Sequence, residues 1–136
     1  MTKISYLGKR FWLLVIGDIL AILLVTAVGF ISHGTITTAG TRIYAMFFPL
    51  IAAWFLVAPF MGAYDLSRTS DYKQLWRPFW AMVVASPFAA WMRGIWLGTP
   101  VNLVFVFVLG GVGSIGILIW RGLFLLILTR MRVGKE

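Results

Sequence analysis

The sequence predicts an all-α fold: an integral membrane four-helix bundle whose N- and C-termini are both cytoplasmic. Three observations carry that prediction. Hydrophobic residues make up 61 % of the 136 and charged residues only 12 %, against soluble averages of about 45–50 % and about 25 %. The apolar residues fall into four stretches of about 20, each long enough to cross a hydrocarbon core of about 30 Å at 1.5 Å per residue. The basic residues flank those stretches instead of gathering in a patch, which is how topology is specified in a bilayer.

The first stretch, Phe11 to Ile31, is interrupted only by Asp18. It follows a positive N-terminal segment, as in a signal peptide, but exceeds the usual apolar core of about 7–15 residues, and no small-x-small cleavage pattern follows. It is expected to be a retained helix over 11–31. The second stretch, 43–61, is uncharged and carries Pro49 and Pro59; the third, 78–97, holds Arg93 and a central Pro87. Pro78 suits a helix start, where a missing N–H costs nothing. Pro49 and Pro87 should bend their helices or loosen one turn.

The fourth stretch, Val101 to Trp120, has no charged residue and is expected to continue as helix to about residue 129. Gly110, Gly113, Ser114 and Gly116 strip bulk from one side, a surface against which a neighbouring helix can pack closely. Gly17 and Ala21 form a matching small-xxx-small pair in the first helix. A barrel would need alternating segments of about ten residues, and the chain has none. The whole is expected to form a single transmembrane domain over residues 1–136.

Orientation follows from the cations. Placing both termini inside puts Lys3, Lys9, Arg10, Arg68, Lys73, Arg77, Arg121, Arg130, Arg132 and Lys135 on the inner side, and only Arg42 and Arg93 on the outer. Ten against two sets the direction. The same distribution argues against nucleic acid as a partner, despite a net charge of +8.

Asp18 is the most informative single residue. A charge at the bilayer centre costs about 2.5–3.5 kcal/mol on insertion scales, so it normally faces the protein interior and finds a partner. Ala21, Val25 and Gly29 follow it on a similar face. Two readings compete: a buried ion pair with Arg121, at a comparable depth, or a proton or cation site. The pair is the stronger, because arginine can engage a carboxylate through two N–H groups. Toward the outer side, Arg93 lies in line with Ser86, Ala89 and Ala90, level with His33 and Arg42 and beside Thr35, Thr37, Thr38 and Thr41. These residues suggest a shallow site for an anionic group such as a lipid phosphate or a carboxylate, with interfacial snorkelling and loop capping as the plainer account.

A lone His33 can in principle ligate a haem or chlorophyll, but its place at a helix end suits an ordinary interfacial role. Trp12, Trp76, Trp80, Trp96 and Trp120 lie near helix ends, as an aromatic belt requires. Trp54 and Trp91 are deeper, with lipid contact as the default expectation. The chain has no cysteine, no nucleophile paired with a base, no phosphate-binding glycine loop and no paired metal-ligand spacing. No catalytic residue, enzyme activity, metal or cofactor is expected.

Gly17-Asp18, Ser32-His33-Gly34, Pro49, Trp76-Arg77-Pro78, Arg93-Gly94 and Trp120-Arg121, in that order and spacing, resemble a group of prokaryotic membrane proteins, the domain-of-unknown-function family numbered three thousand and fifty-four. The resemblance runs from about Trp12 to Leu128 and leaves the Gly62-Ala63-Tyr64-Asp65 loop and the basic tail unassigned. It implies a multi-pass protein of the prokaryotic cell membrane and supplies no activity. Three functional readings remain: an accessory or structural subunit of a larger membrane complex, a small homo-oligomeric transporter or channel with Asp18 as its ion site, and a binder of lipid, quinone or pigment. Scarcity of chemistry favours the first, whose partners are membrane lipids and other transmembrane subunits or copies of itself.

Overall fold

The structure, a computed structural model, describes residues 2–134, with side chains from Leu7 onward. Lys135 and the Lys3 side chain, both counted toward the inner side above, lie outside what is described. Among the described residues four α helices make up the fold: α1 (Thr2–Ser32), α2 (Arg42–Val57), α3 (Trp76–Leu97) and α4 (Leu103–Val133), with a short 3-10 turn at Tyr72–Gln74 before α3. No strand occurs among the described residues.

The helix ends differ from the expected ones for local reasons. Helix α1 starts nearer the N-terminus than residue 11, because Lys, Leu and Arg mark the edge of an apolar stretch and are also good helix formers. Helix α4 starts at Leu103 instead of Val101, where the Asn102 side chain accepts the Val104 N–H at 2.9 Å and caps the first turn. Its basic last turn, with Arg130 and Arg132, complements the helix dipole. Helix α3 ends at Gly98, whose left-handed backbone (φ 63°) lets the Thr99 N–H return to Gly94 O at 3.0 Å.

The end of α2 matters most. It stops at Val57 and not near Met61, because Pro59 has no N–H to continue the ladder. The Ala63 N–H instead reaches Ala58 O at 3.0 Å, and Gly62 turns with φ 72°. That turn folds Ala63 and Tyr64 back beneath the helices. Further along the loop, Asp65 accepts the Ser67 hydroxyl at 2.6 Å and pairs with Arg68 at 3.2 Å. The hydroxyl is the leading cause holding the Asp65 carboxyl below its ordinary range.

The helices close into a ring, α1 on α2, α2 on α3, α3 on α4 and α4 on α1. Neighbours run antiparallel: Phe79, Met82 and Ser86 ascend α3 while their partners Ser114, Gly113 and Gly110 descend α4. The core is largely small: Ala53, Ala81, Ala85 and Ala89 surround Ile22, Leu50, Met82 and Ile117. Its buried hydroxyls bond to helix carbonyls, Thr26 to Ile22 O at 2.9 Å and Ser86 to Met82 O at 2.7 Å. Helices Leu7–Ser32 and Leu103–Val133 are long and apolar enough to cross a membrane, yet only 28 % of each apolar window is buried.

Candidate functional site

Near the end that carries both termini, Asp18 is fully buried and Arg121 nearly so. Arg121 Nε donates to Asp18 Oδ1 at 3.1 Å and Nη2 to Oδ2 at 2.8 Å, the two-pronged geometry that planar guanidinium offers a carboxylate. Its third nitrogen, Nη1, donates to Ala63 O at 2.8 Å, so the loop that Pro59 and Gly62 turn inward closes over the pair. The Tyr64 hydroxyl donates to Asp18 Oδ2. Trp54 Nε1 lies 3.2 Å from the same oxygen and 2.9 Å from the Tyr64 hydroxyl, and the Arg121 guanidinium sits 5.1 Å from the Tyr64 ring centre. One carboxylate thus gathers donors from α2, the α2–α3 loop and α4. Beside Arg121 a space of about 20 Å³ is left, room for about one water.

Neither Trp54 nor Tyr64 was legible as a partner of this pair. Lipid contact was expected of Trp54, and the structure overturns it: the side chain is 0 % exposed because its indole N–H has a carboxylate to meet inside. Trp91 stays on the outside. Trp120 is half-buried and lies across Gly17, where a Cβ would come within 1.8 Å of its ring. Removing only the phenol oxygen tests the Tyr64 contact. Tyr64→Phe should lower stability by about 1–3 kcal/mol, since it leaves a buried charged acceptor one donor short. A thermal melt in detergent that does not move would exclude the bond.

The small residues sort onto two contacts. Gly110 and Gly113 face Ser86 and Met82 of α3, and Ser114 donates to Phe79 O at 3.3 Å. Gly116 faces Val25 of α1, while Ala21 is buried in the core. Gly111 meets nothing within 4 Å.

At the opposite end the helices part. A cavity of about 600 Å³ opens between α1, the α1–α2 loop, α2, α3 and α4, and His33, Arg42 and Arg93 all line it. Its walls are apolar, from Val25, Val28, Phe105, Val108, Leu109 and Val112. The Arg93 guanidinium stacks 4.7 Å above the Phe105 ring, and its Nε is buried without an acceptor among the described residues. The three residues read from the sequence therefore share one space, whose volume and apolar walls the sequence does not show.

The two ends differ chemically. The first closes over a carboxylate whose two oxygens both accept internal donors, with Trp120 Nε1 buried nearby without an acceptor among the described residues; the second is open, cationic and greasy. A family model described as "Protein of unknown function (DUF3054)" matches residues 15–124. No curated protein and no solved structure matches the chain.

Proposed function

The chain belongs to the DUF3054 family, and from that premise we propose that it is a multi-pass protein of the cell membrane, both termini cytoplasmic, that holds a small hydrophobic or amphiphilic molecule in the cavity of its outer half. The membrane placement draws on two things. The core helix of a soluble protein is mostly buried, whereas α1 and α4 leave Leu20, Leu24, Phe107, Ile115 and Ile119 half or more exposed. The basic residues also crowd the end with the termini, the bias expected of a cytoplasmic face.

The cavity carries the functional reading. At about 600 Å³ it lies within the range of about 300–1,000 Å³ typical of small-molecule sites, with apolar walls and a few polar groups. The accessory-subunit reading rests on scarce chemistry and on smooth glycine and aromatic faces; Gly110, Gly113 and Gly116 pack against the chain's own helices, and lipid can cover the exposed aromatics equally well. The transport reading needs Asp18 to exchange a proton or cation, and both of its oxygens already accept internal donors.

Two measurements test the proposal. The chain lacks cysteine, so single cysteines report topology cleanly. In intact cells an impermeant thiol reagent should label Thr37→Cys and spare Lys73→Cys; the reverse pattern would overturn the orientation. For the cavity, a Cβ at Gly29 meets nothing within 4 Å, and Gly29 lines the space. Gly29→Phe should therefore fold normally and lose a small molecule that native mass spectrometry finds on the 15.3 kDa wild-type chain. Equal retention by both proteins would count against a bound ligand there.

A further inference from the structure

We infer that the cavity selects an anion with a hydrocarbon chain: a carboxylate or phosphate group held by Arg93, with Arg42 and His33 beside it, and its chain laid along the valines of α1 and α4. The inference rests on the cavity-binding reading above and adds the chemical class of the ligand.

Charge balance is the first argument. The chain has four carboxylates in all. Asp18 is committed to Arg121, Asp65 pairs with Arg68, and Asp71 caps the 3-10 turn in the same loop at the end with the termini. Glu136 lies outside the described residues. No carboxylate lines the cavity, so its two arginines have no counterion from the described chain. Arg42 is exposed and Arg93 half-buried; an arginine drawn partly out of water without an anion is costly, and a ligand anion removes that cost.

The second argument is geometry. Arg93 is held by its stack on Phe105, and its Nε is buried with no acceptor among the described residues. A guanidinium so fixed presents a planar fork, the arrangement that matches a carboxylate or phosphate through two parallel hydrogen bonds. The nearby Thr35 and Thr38 hydroxyls donate to Phe30 O and Thr35 O, each at 3.3 Å, and neither oxygen accepts from Arg93 Nε.

The third is the walls. Val25, Val28, Val108 and Val112 offer no hydrogen bonds, and a ligand that was all headgroup would leave them wetted. A chain beside the charge covers them. Two sources share this chemistry, a free fatty acid and an anionic phospholipid with one acyl chain inserted.

The test compares three probes on the purified full chain in a neutral detergent, read by native mass spectrometry: oleate, oleyl alcohol and dioleoylphosphatidylglycerol. Oleate and oleyl alcohol share a chain and differ in charge. Wild type should retain oleate about tenfold or more better than oleyl alcohol, and Arg93→Gln should bring the two close to parity. Arg93→Lys should recover part of the preference, since it keeps the charge and loses the fork. Oleate binding in excess over dioleoylphosphatidylglycerol assigns the free acid; the opposite order assigns the phospholipid.

Equal binding of oleate and oleyl alcohol, both abolished by Gly29→Phe, would overturn the anion selectivity and leave the cavity reading standing. Binding of none of the three probes would overturn both. An unchanged anion preference in Arg93→Gln, with a wild-type melting temperature as proof of folding, would also overturn the role given to Arg93.

Discussion

Asp18→Asn will destabilise the bundle by about 3–5 kcal/mol, the cost of leaving one member of a buried ion pair without its partner. The asparagine amide would turn N–H groups toward the Arg121 nitrogens that now donate at 2.8 and 3.1 Å. Arg121→Gln will cost a similar amount, because it strands Asp18 at 0 % exposure and also releases Ala63 O. The double variant will be less damaging than the two losses added, since neither charge then remains to be compensated. Equilibrium unfolding in mixed micelles, followed by far-ultraviolet circular dichroism, measures all three. Simple additivity would mean the two side chains do not act as a pair. A different outcome would revive the transport reading: Asp18→Asn with wild-type stability but no proton-coupled flux in liposomes.

Gly17→Leu will be nearly as severe, and through packing alone. At this position even a Cβ would lie 1.8 Å from the Trp120 ring, far inside van der Waals contact. Overpacking of a well-filled site costs about 1–3 kcal/mol and sometimes more. A leucine here cannot be absorbed by a flexible neighbour, because Trp120 is itself packed against Phe124. Pairing the change with Trp120→Ala should recover part of the loss. Gly111→Ala is the control, with nothing within 4 Å of its Cβ; it should be neutral or raise stability by about 0.5–1 kcal/mol through helix propensity. Equal behaviour of Gly17 and Gly111 would mean that the glycines serve only as a general smooth surface.

The contrast between those two glycines shows what a one-dimensional pattern conveys. Gly110, Gly113, Ser114 and Gly116 read as one smooth face, yet the structure divides them between α3 and α1. Likewise Asp18 and Arg121 stand out from sequence because each is a charge in an apolar run, and charge in such a run demands a partner. Tyr64 carried no such signal. It lies in a loop, and only the turn made by Pro59 and Gly62 brings it to Asp18.

The sequence by itself determined the helical class, the four apolar stretches and the bias of positive charge toward one end. Those properties depend on composition and on the position of charges along the chain, and both are local. The tertiary structure alone decided which faces turn inward, that Trp54 is buried while Trp91 is exposed, and that His33, Arg42 and Arg93 line one open cavity of about 600 Å³. The physical reason is the uniform hydrophobicity of these helices. A helix that is apolar all round carries no polar-to-apolar contrast to mark its buried side. Shape and a few hydrogen-bonding groups settle its rotation instead, and those act only once the helices meet.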